Sequence, residues 1–404
     1  MVLEMDISKS EKEVLNLIDP DEVVSFLQTI IQKRSDYPPG DCRDAVQAVA
    51  EELSQSGVKF NIFTKNGRQP NLLAVYPEES RQPKLLFHSH IDTVPAGERD
   101  RWLFDPFSGH IYEENVYGRG AGDDKASVAA QVFAIITLAR SGLDLGGSLQ
   151  VAVVSDEESG GLNGTKWLHD GGTLAPDALV VGEQTDNHVA ISERVACGID
   201  LTIFGHSAHG AMPWAGENAI LKAMGALNWL QSNLFPQLQE RKHAYLPPPT
   251  LNVGKIQGGI QWSIVPERCK IEMDRRLLPG ETREEAVEEI RACLDEYHEL
   301  VNPISYELFS EGEVANNINT LPTDPFVELA NKTLKDICNE YRSLTGYMQT
   351  SDGRWFASDN IPIIIFGPSK PEVAHAANEY VNINQLIETV KFLTILAFRW
   401  LGSK

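Results

Sequence analysis

The chain is poor in the features that would assign it to several large protein classes. Its five cysteines, at 42, 197, 269, 293 and 338, include no Cys-x-x-Cys pair. So sparse and odd a set suits a reducing compartment and excludes a disulfide scaffold. Basic residues are outnumbered 57 to 35, for a formal net charge of −22 and a pI near 4.9. That balance argues against a polyanion such as nucleic acid as partner. No apolar run approaches the ~18 residues a membrane span needs. The opening MVLEMDISKSEKE is charged and has neither an apolar stretch nor a small-residue cleavage site. There is no Gly-x-Ser-x-Gly, which argues against a serine hydrolase. Gly118-Arg-Gly-Ala-Gly122 lacks the third glycine of Gly-x-Gly-x-x-Gly, and Asp123 and Asp124 would repel a phosphate. Repeats and low-complexity segments are missing too. What is left is a soluble, cytoplasmic chain with no nucleic acid and no membrane to bind. At 404 residues, 42% hydrophobic and 23% charged, it is long enough for two domains.

Leu85 to Ser127 is the stretch the rest is organised around. An apolar strand from Lys84 stops in His88-Ser-His-Ile-Asp92, which sets imidazole and carboxylate at its carboxyl end. Open α/β sheets place their chemistry there. A Gly-rich turn then delivers Asp123 and enters an apolar helix, Ala126 to Leu138. Two later strands, Ser148–Ser155 and Ala178–Val181, also end in acids, DEESGG (156–161) and GEQTD (182–186). From about Ile191 the character changes. Strands at Cys197–Gly205, Thr250–Ile256, Arg268–Arg275 and Ile304–Phe309, with two interleaved helices, give the β-α-β-β-α-β order of a split ferredoxin-like module. After it, helical and buried-strand patterns resume. The division is therefore 1–192 and 312–404 for a catalytic domain in two pieces, with 193–311 inserted.

The polar groups at the strand ends are His90, Asp92, Asp123, Glu157, Glu158 and Glu183, with His375 near the end of the chain. Divalent zinc takes nitrogen and oxygen ligands in low coordination number, and two such ions close together need a shared carboxylate to offset their repulsion. Sharing Asp123, with His90 and Glu183 on one ion and Glu158 and His375 on the other, gives each three protein ligands. Asp92 then orients the His90 imidazole, and Glu157 is left over as general base for a water. Each piece alone has a plainer reading, such as a hydrogen-bonded strand-end histidine or a pair of surface acids. His88 lies on the same strand face as His90, and only the following aspartate favours the latter.

The motifs resemble, in order, those of a family of dinuclear zinc amidohydrolases. That family includes acetylornithine deacetylase, succinyl-diaminopimelate desuccinylase, aminoacylase and glutamate carboxypeptidase. They are His-x-Asp-x-Val at His90–Val94, Gly-Arg-Gly-Ala-x-Asp-x-Lys at Gly118–Lys125, Asp-Glu-Glu at Asp156–Glu158, Gly-Glu-x-Thr at Gly182–Thr185 and His-x-x-Asn-Glu at His375–Glu379. The resemblance implies the ligand set above, two divalent ions (zinc, or cobalt), Glu157 as base and a cis peptide after Asp123. It also implies a fold: a zinc-exopeptidase-like mixed α/β sheet flanked by helices, with the inserted ferredoxin-like α+β module as lid and dimerisation domain. In GHSAHGAMPWAGENAI (205–220), His209 matches the family histidine that reaches into a dimer partner's site and helps hold the oxyanion; His206 is its neighbour and rival. Arg276 matches an Arg-x-x-Pro motif suited to a substrate carboxylate, although a surface ion pair is the alternative there. Thr350 begins Thr-Ser-Asp before Arg354, and Gly367-Pro368 resembles the family's Gly-Pro loop. Ser263 stands where several members have a substrate-binding asparagine. Ser89, Asp124, Ala126 and Gln184 also depart from the pattern, and none of these departures removes a ligand.

The expected function is thus metal-dependent hydrolysis of an N-acyl-L-amino acid, by a homodimer acting on a small molecule or short peptide. The alternatives are a carboxypeptidase or dipeptidase on the same scaffold, and a non-catalytic binding protein that kept the fold.

Overall fold

A computed structural model describes residues 7–310 and 316–402. The first six residues, where the leader reading begins, and the expected boundary at 311/312 lie outside the described residues. The chain divides into two compact units. One is Met1–Ser192, Ile318–Tyr347 and Ser351–Lys404; the other is Glu193–Asn317 with Met348–Thr350. That last tripeptide was expected in the final catalytic segment. It groups with the inserted unit because the Thr350 hydroxyl donates to the Arg194 carbonyl at 2.8 Å and accepts the Ala196 amide at 3.0 Å.

The first unit is built on a mixed eight-stranded sheet. Its order is Lys59–Thr64, Pro70–Tyr76, Ser148–Val154, Lys84–His90, Ala178–Val181, Ile363–Ile365, Ala190–Glu193 and Thr345–Tyr347. Three central neighbours run parallel, Ser148–Val154 and Ala178–Val181 flanking Lys84–His90, and Ile363–Ile365 continues the parallel run. Being covered on both faces, these strands are near-continuous apolar runs, as parallel strands must be. Helix Lys125–Ser141 is buried at every residue from Lys125 to Leu138 and ends at Gly142, whose φ of 65° is the left-handed stop that glycine adopts without strain. Helix Pro20–Gln32 starts with the Asp19 carboxylate accepting the Asp21 amide and proline in the first turn, both ordinary helix-start signals. It buries Val23, Phe26, Leu27, Ile30 and Ile31. Short elements were not legible in advance: helix Lys9–Leu15, strands Ala190–Glu193 and Thr345–Tyr347, and a small sheet of Tyr380–Asn382, Asn115–Tyr117 and His110–Tyr112. Strands of three or four residues carry too little periodicity to be read, and the helix of seven spans only about two turns.

The second unit follows the expected β-α-β-β-α-β order: Val195–Phe204, Ala219–Gln239, Thr250–Gly258, Arg268–Leu277, Arg283–Leu300 and Ser305–Phe309. Its antiparallel sheet runs Thr250–Gly258, Arg268–Leu277, Val195–Phe204, Ser305–Phe309. Alternate residues Cys197, Ile199, Leu201 and Ile203 face a core closed by Leu230, Ile290 and Leu294 from the helices. Among the described residues, no helix is long and apolar enough to cross a membrane.

One side chain ties the start of the buried helix to its surroundings. The Lys125 ammonium donates to the carbonyls of Ile30 and Lys33, at 2.9 and 2.8 Å, where helix Pro20–Gln32 ends. Burial draws its pKa down to about 8, so it is mostly charged at pH 7. Lys125→Met leaves those carbonyls unpaired and is expected to lower stability by ~1.5–3 kcal/mol, the worth of a hydrogen bond to a charged group. Urea unfolding at pH 7 measures it; an unchanged midpoint and slope would show that the contact carries no net stability.

Candidate metal centre

Strand Lys84–His90 delivers the first group. Beyond it Asp92 is wholly buried, and its two carboxylate oxygens accept the amides of Glu157 and Glu158 at 3.3 and 3.1 Å. One of them also lies 3.5 Å from His90 Nδ1, which is 3.1 Å from the Asp92 carbonyl. With Nδ1 committed to Asp92, the other ring nitrogen points away from the strand and meets Asp123 Oδ1 at 3.0 Å. Asp92 therefore aims His90 and holds the turn that carries both glutamates.

The Gly-rich turn places Asp123. A side chain at Gly122 would bring its Cβ within 2.8 Å of Ser369 Oγ, so only glycine permits this approach. The Asp123–Asp124 peptide is cis, as the resemblance implies. The second Asp123 oxygen lies 3.2 Å from His375 Nε2, and that nitrogen is also 3.2 Å from Glu158 Oε1. Each oxygen of the carboxylate thus faces one imidazole. Ligand atoms of His90, Asp123 and Glu158 all lie within 4.8 Å of one another. Glu183 follows the third parallel strand, 3% exposed, and accepts the Tyr347 hydroxyl at 2.8 Å. Glu157 Oε1 is 3.7 Å from the Arg354 guanidinium, which the Ser351 and Gly160 carbonyls and the Asp352 carboxylate hold in turn.

Negative charge exceeds positive here. Asp92, Asp123, Glu157, Glu158 and Glu183 converge on two imidazoles and one guanidinium. Burial raises Glu157 and Glu183 well above the usual carboxylate range; Asp352 adds to the rise for Glu157, and Asp123 to that for Glu183. Burial also raises Glu158, against its hydrogen bond to His375. Burial alone would lower His90, but hydrogen bonds to Asp123 and Asp92 hold it well above its ordinary value. Hydrogen bonds to Asp123 and Glu158 raise His375 to about 10. Uncompensated buried carboxylates are costly. Imidazole nitrogens and carboxylate oxygens are also the donors a divalent ion takes. The residues present fit such ions.

The other expected site residues fall in different places. His88 is buried and sits 2.8 Å from the Thr165 hydroxyl, which donates to Asp352, so it belongs to the packing beneath the site. Gly367 exchanges main-chain and hydroxyl hydrogen bonds with Thr185 and packs against the Glu183 carbonyl, an approach that excludes a Cβ. Arg276, in the second unit, bonds to Asp274 at 3.0 Å and to the Thr350 hydroxyl at 3.3 Å. His209 is exposed on a turn paired with Ile264, next to Ser263, whose carbonyl takes the Gly210 amide at 2.7 Å. His206 is also exposed and pairs through its backbone with Glu217. Two contributors were not foreseen. Arg354 was visible only as the end of a motif, and Tyr347 sits in a three-residue strand with no pattern to announce it.

An α/β fold that gathers imidazoles and acids about the carboxyl ends of adjacent parallel strands belongs to the class of proteins that can hold divalent metal there. The model of peptidase family M20/M25/M40 matches residues 86–399, and the chain belongs to that family. It is 32% identical over 387 residues to the uncharacterized protein YgeY of Escherichia coli K12, covering 90% of this chain and 91% of that one. It is 30% identical over 381 residues to a succinyl-diaminopimelate desuccinylase of Methylobacterium radiotolerans, covering 91% and 94%. Its fold matches the M20 family metallo-carboxypeptidase Sso-CP2 of Sulfolobus solfataricus with a TM-score of 0.76 at 18% identity, over 94% of this chain and 99% of that one.

In the metal-free chain His375 keeps its proton up to about pH 10 and His90 well past its usual value. A cation must displace those protons. Zinc binding at pH 7 is therefore expected to release protons, from the two imidazoles and from ligating glutamates whose pKa burial raises, and apparent affinity should fall as pH drops. Calorimetry in buffers of different ionisation enthalpy reads the release. An affinity flat from pH 6 to 9, with no proton released, would contradict it.

Proposed function

We propose that the protein hydrolyses the amide bond of an N-acyl-L-amino acid with two divalent ions, zinc or cobalt, at this centre. His90, Asp123 and Glu183 would hold one and Asp123, Glu158 and His375 the other; when bound they supply Lewis acidity and charge stabilisation. The observation that carries the reading is the convergence of two imidazoles on the two oxygens of one buried aspartate, with Glu157 alongside. Glu157 takes the proton of the attacking water and returns it to the departing amine. Burial raises its pKa from the ordinary carboxylate value, the direction that strengthens a carboxylate as a base. Asp92 keeps His90 in one tautomer throughout. The oxyanion of the tetrahedral species calls for a hydrogen-bond donor. In His209 the Ala211 amide donates to Nδ1 at 3.0 Å, so the ring hydrogen sits on Nε2 and is available for that purpose. Arg276 and Thr350 would receive a substrate carboxylate, with Ser263 and Gly367 as further substrate contacts.

The inserted unit would serve as lid and dimerisation domain. Support for the dimer comes from its surface. Thr250–Gly258 is an edge strand exposing Val253 and Ile256, and helix Ala219–Gln239 exposes Leu221 and Met224. An open edge with apolar neighbours is a template for pairing.

Two outcomes are expected. Glu157→Gln should keep its metal and lose ~10²–10⁴-fold or more in turnover, the span of general acid–base catalysis. The assay is a panel of N-acetyl and N-succinyl amino acids beside dipeptides, with zinc and with cobalt. Cleavage of dipeptides alone would reassign the enzyme to peptidases, and no metal by elemental analysis would support a non-catalytic protein. Ile256→Lys with Met224→Glu should convert a dimer to a monomer in sedimentation equilibrium; a wild-type monomer would remove the dimer from the reading.

A further inference from the structure

Arg119 and Glu379 form an ion pair whose side chains are 2% and 0% exposed. Neither has a part in the centre described above, yet each grips the backbone of a residue that does. One Glu379 oxygen accepts the amides of Gly122 and Asp123, at 2.8 and 2.9 Å. One terminal nitrogen of Arg119 meets Glu379, and the other donates to the carbonyl of His375 at 3.2 Å. The guanidinium is seated over the buried Trp102 ring, 5.3 Å from its centre.

Stability alone is a poor reason for such a pair, since desolvating two charges consumes most of what their attraction returns. The geometry points to another use. His375 sits in the left-handed region, with φ of 61°. Its side chain is 53% exposed, against 2% for His90 and 10% for Asp123. Where its imidazole stands therefore depends on how its backbone is held. His90 and Glu183 are anchored differently, by Asp92 and by Tyr347.

We infer that Arg119 is a positioning residue for His375: clamped on Glu379, it fixes the His375 loop against the Asp123 turn. It thereby sets the affinity of one metal position selectively, the one formed by Asp123, Glu158 and His375. The inference rests on the two-ion reading above. A guanidinium is required because its fork spans a carboxylate and a carbonyl at once, which a lysine ammonium on one point of attachment does not reproduce.

The test is titration of the metal-stripped, full-length chain with Co2+, followed by visible absorption and calorimetry, with His375→Ala marking which signal belongs to that position. Arg119→Lys and Arg119→Met are expected to weaken the His375 position ~10–100-fold, the usual cost of losing a group that orients a ligand, and to leave the other within about threefold. Tyr347→Phe should show the opposite selectivity. Arg119→Lys keeps a positive charge on Glu379, so it decides the matter if Arg119→Met does not fold. Wild-type affinity at both positions in Arg119→Lys, or equal weakening of both, overturns the clamp. A wild-type chain that takes up no Co2+ overturns the two-ion reading and the clamp with it, a result distinct from two wild-type affinities in the variant.

Discussion

Too many carboxylates share too little water at the ends of three parallel strands, and much of the first unit is arranged to live with that. Placed separately, each acid would ionise and attract solvent. Brought together, three of them, Glu157, Glu158 and Glu183, have their pKa raised by burial, with neighbouring carboxylates adding to the rise. Asp123 with its neighbours holds the imidazoles above their ordinary pKa. Such a cluster is tolerable only if counter-charge arrives, as protons or as cations. The chain supplies part of it, in Arg354 and two histidines. The remainder is what makes the place a receptor for divalent ions.

Aiming the donors takes more of the structure than providing them. His90 is steered by Asp92, which also grips the Glu157–Glu158 turn through two amides. Glu183 is held by a tyrosine from the far edge of the same sheet. Asp123 and His375 are tied through Glu379 and Arg119. Buried partners of this kind reduce the rotamer freedom that would blur a ligand geometry. The family relation agrees with this division of labour. A desuccinylase shares much of the sequence and a metallo-carboxypeptidase shares the fold. Arg276, Thr350 and Ser263, where this chain keeps parts of the family pattern and alters others, lie in the second unit.

The strands of the central sheet were readable because burial on both faces demands continuous apolar runs, and helix Pro20–Gln32 because its apolar spacing and its Asp-Pro start agree. The ferredoxin-like order of the inserted unit was readable for a different reason: its antiparallel strands alternate between a buried and an outward face. Tyr347 was not: a three-residue strand has no period, and a tyrosine within it looks like any other. His88 and His90 could not be separated by position, since both point the same way from one strand. The difference lies in what stands opposite, Thr165 for one and Asp123 for the other. The placement of Met348–Thr350 with the inserted unit likewise rests on hydrogen bonds to a distant stretch.

The order of motifs along the chain was enough to establish the family, the fold class and the residue types available for chemistry, because these depend on local patterning and composition. Which imidazole meets which carboxylate oxygen, which acid is held by tyrosine or arginine, and how His375 is brought beside Asp123 were decided only by the folded structure. Those relations join residues far apart in the chain. Contacts of that range have no period or spacing to betray them, and they exist only once the sheet has set its strand ends side by side.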